Sequence, residues 1–424
     1  MKRRNGIFLT HRKRTEAYPT LRLPIPSVVT IPMLMHMGAP CVPTVNIGDT
    51  VTVGQCIGKA QGDFSVPIHA SVSGTIQSIG EYLCTNGTKC SAVTIVSDGK
   101  QTPCPDCKPY LPTTPEELSH MAKNAGCVGL GGAGFPTHIK LAPSAPISIM
   151  VVNAAECEPY LTSDCRMMLE QTEDIIQGIL LVMRIMQIKE CRIGVGSDKP
   201  AAIKALTDAA SKHENIHVIP LPATYPQGAE KIMIYHTTGI VVHEGTLPVD
   251  YGALLLNIST CAFLYQYTQT GIPLVERRIT VDGDAVERPC NIIAPIGTPM
   301  RSLLEYCGCH MESIKELICG GPMMGTDLPT ADTPLCKPNN GLLAFRKSIH
   351  RTPTACIRCG RCMRVCPMGL MPMQLEKAFH AKDAEALSTY KLQLCMHCGC
   401  CSYVCPANRP LAATNQLAKG LLPR

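Results

Sequence analysis

The chain has 424 residues and a mass of 45.7 kDa, with 45% hydrophobic and 17% charged residues. That length exceeds one ordinary core and points to roughly three domains, and the apolar content excludes disorder as a general state. A formal net charge of +6 invites a nucleic-acid partner, but no basic–aromatic stacking pattern accompanies it, so none is expected.

Residues 1–25 read as a basic arm carrying Lys2, Arg3, Arg4, Arg12, Lys13, Arg14 and Arg22. It lacks the apolar stretch of a signal peptide, and solvation is the expected state of such a charge run, with contact to anionic lipid or an acidic partner as the alternative. Residues 26–97 place Val and Ile around Gly-Asp turns, as in VNIGDTVTVGQCIGKA and VPIHASVSGTIQSIG, which predicts a small β-barrel or sandwich. A Pro-rich linker covers 98–118. Thr114, Pro115 and Glu117 form a helix-start signature at its end.

From 119 to 270 the period alternates. An apolar strand at 147–152 precedes a helical pattern over 166–187. A strand at 191–196, a helix near 199–212, a strand at 217–221 and a helix after Pro226 follow. Such alternation predicts an α/β domain with a parallel sheet. The apolar runs Ile175–Met186 and Ala253–Tyr265 are too short and too interrupted to span a bilayer. Residues 271–334 return to β around an Asp-Gly-Asp turn and predict a compact α+β module. Residues 335–424 are cysteine-rich and offer little else to build a core. An intracellular setting, with reduced thiols open to metals, is the expectation for all 25 cysteines.

Cys356, Cys359, Cys362 and Cys366 follow C-x2-C-x2-C-x3-C-P, and Cys395, Cys398, Cys401 and Cys405 repeat it. This spacing is that of two-cluster ferredoxins, in which the fourth cysteine ligates the other cluster. One [4Fe–4S] cluster is therefore expected on Cys356, Cys359, Cys362 and Cys405, and a second on Cys395, Cys398, Cys401 and Cys366. Loading both lowers the net charge to about +2. Cys400 reads as a bystander. A further metal site on Cys84, Cys90, Cys104 and Cys107 stays open on so weak a spacing.

GLGGAGFP (129–136) contains G-x-G-x-x-G, whose glycines let a ring or phosphate approach the backbone. A capped helix precedes it where a dinucleotide fingerprint needs a strand, so that fingerprint is not satisfied. Lys140 can offer a cation. The strand at 147–152 runs into NAAECEPY, putting Asn153, Glu156 and Glu158 at a strand's carboxyl end, where open parallel sheets bind ligands. Glu156 and Glu158, two residues apart, should point the same way on extended backbone.

GLGGAGFPTHIK with NAAECEPY resembles the flavin-binding core of the NADH-oxidising flavoprotein subunit of respiratory complex I, and YPQGAEK (225–231) resembles its third element. With IPSVVTIPM, HMGAP, HASVSGT, GTP and GGPMMG, nearly the whole chain is similar to the RnfC family, the C subunits of Rnf electron-transport complexes. The resemblance implies a barrel-sandwich domain, a Rossmann-like flavin domain, a β-grasp module and an α-helical two-cluster ferredoxin domain. It implies FMN held by Gly129, Gly131, Gly132, Gly134, Lys140, Asn153 and Glu158, and NAD(H) seated by Phe135, Glu156, Gly228 and Glu230. No catalytic acid or base is required, since hydride transfer belongs to the cofactors. Partners would be the other subunits of a membrane-bound Rnf complex and, through them, ferredoxin, with this chain peripheral on the cytoplasmic side. No lysine occupies the hairpin tip where lipoyl or biotinyl carriers are modified, so the first domain is expected to dock or support. A soluble corrinoid-type reductase and a non-catalytic electron-transfer scaffold are the alternatives.

Overall fold

Four strands rich in Val, Ile and Leu build the central sheet: Ile149–Ala154, Glu190–Gly196, Ile216–Leu221 and Ala253–Asn257. All are parallel, in the spatial order third, second, first, fourth. The structure, a computed structural model, describes residues 6–85, 87–348 and 352–422.

Both faces of this sheet are covered, which is why its strands read as continuous apolar runs. Met150, Val152, Leu254 and Leu256 face one layer, with the helices Thr172–Ile185 and Ile258–Thr270. Ile149, Val151, Ala253 and Leu255 face the other, with the helix Glu230–Thr238. The first two helices meet at Gly178, where an added Cβ would lie 1.9 Å from the Cys261 carbonyl oxygen.

Two local expectations change here. The pattern over 166–187 is two helices, Ser163–Glu170 and Thr172–Ile185, broken at Gln171. The apolar run Ala253–Tyr265 is a strand followed by a helix, with Asn257 between them accepting from the N–H groups of Ser259 and Thr260. An apolar run holds no period that separates a buried strand from a buried helix.

The N-terminal domain has a four-stranded and a three-stranded sheet sharing one core, in which Val29, Ile31, Val51, Ile57, Ile68 and Ile95 are fully buried. The helix Pro115–Asn124 then starts inside the expected linker, its first turn capped by Thr114.

The module after 271 holds a six-stranded sheet that departs from expectation in two strands, one central and one at an edge. The strand Gly341–Phe345 pairs with Glu276–Asp282 and Glu316–Cys319, past the expected boundary at 334. Leu21–Arg22, from the basic arm, pairs in parallel with Cys290–Pro295.

The described part of the arm is therefore tied to the fold, although several of its arginines stay exposed. Arg14 binds Asp282 at 2.5 Å, Arg22 binds Glu276 at 2.5 Å, and Ile7 and Tyr225 exchange two backbone hydrogen bonds of 2.8 Å. Charge along a segment does not reveal partners supplied by distant strands. Lys2, Arg3 and Arg4 lie outside the described residues. No helix among those described is long and apolar enough to cross a membrane.

Candidate functional site

At the carboxyl edge of the parallel sheet, strand order reverses between Ile149–Ala154 and Ala253–Asn257, the position at which open α/β sheets leave a crevice. Asn153 and Asn257 are direct register partners there. The Gly129–Phe135 loop lies over Asn257, whose Nδ2 would be 3.1 Å from a Cβ on Gly131. Gly129 N–H donates to the Phe135 carbonyl, and Leu130 is pinned from two sides: its N–H donates to Thr260 Oγ1 and its carbonyl accepts from buried Arg277. The loop crest is exposed. Among the described residues, the N–H groups of Gly131, Gly132 and Ala133 have no acceptor within the protein. Free N–H groups on a glycine turn make an anion-binding concavity.

The other expected residues gather around it. Asn153 Nδ2 donates to the Gly228 carbonyl at 2.8 Å. Lys140 binds Glu230 at 2.6 Å and the Leu255 carbonyl at 3.1 Å, bridging the loop's far end to the second face of the sheet. Phe135 meets Phe64 of the N-terminal domain edge to face at 5.9 Å, so that domain supplies part of the rim. Sequence reasoning missed Asn257, Arg277 and Phe64. Only Asn257 carried a signal, an Asn at the end of an apolar run.

The two acidic residues diverge instead of pointing together. Glu156 has φ +40°, so the segment is not extended there. Its carboxylate accepts from the Asp164 and Cys165 N–H groups at the start of the helix Ser163–Glu170. Glu158 accepts from the N–H groups of Met323 and Met324 at 3.0 and 2.8 Å, in the GGPMMG loop. Gly321 allows this approach, since its Cβ would stand 2.4 Å from Glu158 Oε2. Burial pushes the Glu158 carboxyl up to about 7, against the pull of those two donors.

Lys13 of the arm holds this acidic segment from behind. Fully buried, its Nζ donates to the carbonyls of Glu156, Glu158 and Leu161 at 2.7, 3.1 and 2.6 Å. Burial, and then Lys199, lower its pKa. A methionine fills similar space with no donor and leaves three acceptors unpaired, each costing about 1–3 kcal/mol. Lys13→Met is therefore expected to lower the melting temperature and the retention of any ligand in the crevice. Unchanged ligand retention in a folded variant would remove Lys13 from the site's support.

The second centre is the cysteine pair of loops. Cys356, Cys359, Cys362 and Cys405 line one space and Cys366, Cys395, Cys398 and Cys401 line another. The halves also repeat their unusual backbone: Arg358, Gly360 and Gly369 have positive φ, as do His397, Gly399 and Asn408 at the matching positions. The two loops thus share one curl, and the last cysteine of each lies with the other loop's set. The two donor sets are all-thiolate, the chemistry of iron–sulfur ligation. Cys400 also lines the second space, but its Sγ is directed to the Tyr225 carbonyl at 3.9 Å.

The two centres are adjacent. Cys398 and Cys400 pack with Tyr225, Cys157 and Met323, and a Cβ on Gly399 would lie 2.7 Å from the Met323 carbonyl. The Cys395 set thus meets the GGPMMG loop, and the Cys356 set adjoins it through Cys362 and Cys401. Cys84 and Cys90 stand 3.6 Å apart at Sγ, whereas Cys107 lies by Gly54 and Pro273, beside Cys104. Among the described residues no three His, Cys, Asp or Glu are placed to share a single metal ion.

Three family models match the chain: a RnfC barrel sandwich hybrid domain over residues 1–100, a Nuo51 FMN-binding domain over 122–266 and a 4Fe-4S dicluster domain over 355–409. The C subunit of the Na(+)-translocating ferredoxin:NAD(+) oxidoreductase complex of Acetobacterium woodii is 40% identical over 380 residues, covering 88% of this chain and 86% of that one. The C subunit of the proton-translocating ferredoxin:NAD(+) oxidoreductase complex of Clostridium ljungdahlii is 39% identical over 380 residues, covering 88% and 83%. The C subunit of the ion-translocating oxidoreductase complex of Rhodobacter capsulatus is 38% identical over 426 residues, covering 97% and 81%. Among solved structures, a NAD+-reducing [NiFe]-hydrogenase in the air-oxidized state shares the fold over 74% of this chain and 64% of its own, at TM-score 0.53 and 19% identity.

Proposed function

The chain belongs to the RnfC family, the C subunits of ion-translocating ferredoxin:NAD(+) oxidoreductase complexes, and from that premise we propose how its residues divide the work. The observation that carries the reading is the adjacency of the two centres: an exposed glycine cradle at the switch point, one loop away from the Cys395 thiols. FMN, when bound, supplies the exchange of a hydride with NAD(H) for electrons moved one at a time, and the two [4Fe–4S] clusters carry those single electrons.

The crest at Gly131 and Gly132, with Ala133, presents backbone donors to FMN, and Gly129 and Gly134, whose own N–H groups close the turn, let the backbone approach it. Asn153 and Asn257 close the floor of the site, and Lys140 supplies a cation held in place by Glu230. Phe135, Gly228 and Glu230 border the side open to NAD(H). Glu156 and Glu158, expected to face the ligands, act here through the backbone they brace. Glu156 anchors the segment to a helix start, and Glu158 ties it to the loop that touches Gly399. No side chain is needed to move a proton.

The cysteine assignment is the crossed one: Cys356, Cys359, Cys362 and Cys405 for the outer cluster, and Cys395, Cys398, Cys401 and Cys366 for the inner. We read residues 119–270 as Rossmann-like and the module from 271 through 345 as a β-grasp. The protein sits peripherally on the cytoplasmic side of the membrane, held by other subunits of its complex. Family membership sets aside the corrinoid-type reductase.

The test is anaerobic addition of NADH to the reconstituted protein. Bleaching of a flavin band is the expected result; flavin that stays oxidised with NADH in excess would sink the hydride step.

A further inference from the structure

We propose that Cys84 and Cys90 form a redox-active dithiol, which low-molecular-weight disulfides convert reversibly into an intrachain disulfide at the tip of a barrel-domain hairpin. The site stands apart from the flavin and cluster assignments and depends on neither.

Three observations carry it. First, the two thiols are already in contact. The strands Gly74–Leu83 and Lys89–Ser97 form a hairpin whose ladder ends at Leu83 and Lys89. Cys90 stands opposite Tyr82, and Cys84 lies two residues beyond Tyr82, so strand alternation puts both cysteines on one face. Their Sγ atoms are 3.6 Å apart. A bonding distance needs a closure of about 1.5 Å, and the turn is where it can be absorbed. There Cys84 and Thr88 share a backbone hydrogen bond of 2.9 Å, and Gly87 reverses the chain at φ +81°.

Second, access sets an order of reaction. Cys84 is partly exposed and Cys90 is buried, so an incoming disulfide meets Cys84, and Cys90 is left to resolve the adduct. Cys290 and Cys307 make an internal comparison. Their Sγ atoms are also 3.6 Å apart, yet both are buried in a core with Ile292, Leu303 and Leu304. That pair has contact without access.

Third, the surroundings favour the oxidised form. Burial, and then Cys90, push the Cys84 thiol up to about 12. Dithiols whose reduced form is stabilised are the strong oxidants, and here the thiolate is disfavoured, which is the opposite case. The same shift leaves little thiolate to attack, so the disulfide forms slowly and then persists. The hairpin face also meets the module from 271. Burial, and then Cys336, Cys84, Cys90 and Cys319, push the Tyr82 hydroxyl up. Four thiols therefore gather near Tyr82, but among the described residues no three are placed to share one metal ion. Thiol–disulfide exchange is the chemistry that fits the one pair in contact.

The exchange balances. The Cys84 thiolate attacks one sulfur of the incoming disulfide, so that one S–S bond forms, one breaks and a small thiolate leaves. The Cys90 thiolate then attacks the Cys84 sulfur of the adduct and expels the second small thiolate. The protein loses two electrons and two protons, which depart in two small-molecule thiols.

The experiment uses the full chain, anaerobic and mildly alkaline, in buffers of oxidised and reduced glutathione, with free thiols alkylated at the end. Trypsin cuts after Lys89, between the two cysteines, so the disulfide appears as two peptides that stay joined until reduced. The joined fraction should rise with the oxidised-to-reduced ratio and fall again when reduced glutathione is added. Cys290 and Cys307 should stay reduced throughout. Cys90→Ser should stop at a glutathione adduct on Cys84, and Cys84→Ser should form neither adduct nor link. A wild-type pair that stays reduced in excess oxidised glutathione would overturn the proposal. So would linkage of Cys290 to Cys307 ahead of it, or an adduct that forms on Cys90 in Cys84→Ser. The wild-type titration needs no variant, so a misfolded variant would not hide the result.

Discussion

Gly132→Val is expected to yield a protein that keeps its iron and loses its flavin. Gly132 has φ +108°, a region that L residues rarely adopt and that costs about 1–3 kcal/mol to hold. Sterically the fold has room for the change, because a Cβ there meets nothing nearer than Asn340 Nδ2 at 3.8 Å. The side chain would instead project over the crest where the N–H groups of Gly131, Gly132 and Ala133 are open. Loss of flavin should therefore come from filling the cradle, with the cysteine domain untouched. Flavin released by acid and counted against iron is the measurement. Full flavin occupancy in a folded Gly132→Val protein would show that the ligand binds elsewhere.

Cys366→Ser is expected to damage the cluster built on Cys395, Cys398 and Cys401, although Cys366 is closer in sequence to the other triad. Its thiol lines the same space as those three, and Cys405 makes the reciprocal crossing. Iron should fall from about eight to about four atoms per chain. The electrical consequence is larger than the loss of one centre. In the proposed assignment the inner cluster stands between crevice and outer cluster, so the variant should still bleach with NADH while its remaining cluster stays oxidised. Selective loss of the cluster on Cys356, Cys359 and Cys362 would contradict the crossed assignment.

Legibility in the sequence followed the range of the interactions involved. The grouping of the eight cysteines was readable because each triad is local and its spacing is the one two-cluster ferredoxins use. The glycine loop was readable for the same reason, as was the helix start at Thr114. What could not be read depends on distant pairings. The strand Gly341–Phe345 joins its sheet opposite residues some sixty positions earlier, and Lys13 finds carbonyls almost 150 residues away. Asn257 was hidden at a strand–helix junction inside a run that is apolar throughout. Glu156 and Glu158 diverge because one residue adopts positive φ, which nothing in an Ala-Glu-Cys-Glu-Pro segment announces.

The central claim is that hydride chemistry at the glycine cradle and single-electron chemistry at the cysteines are joined within this one chain. It is tested most directly by adding one equivalent of NADH anaerobically to wild-type protein and recording flavin absorbance and iron–sulfur EPR on the same sample. The account predicts flavin bleaching accompanied by reduced-cluster signals. Clusters that remain silent after the flavin has bleached would contradict it, and so would clusters reduced by NADH in a flavin-free Gly132→Val protein.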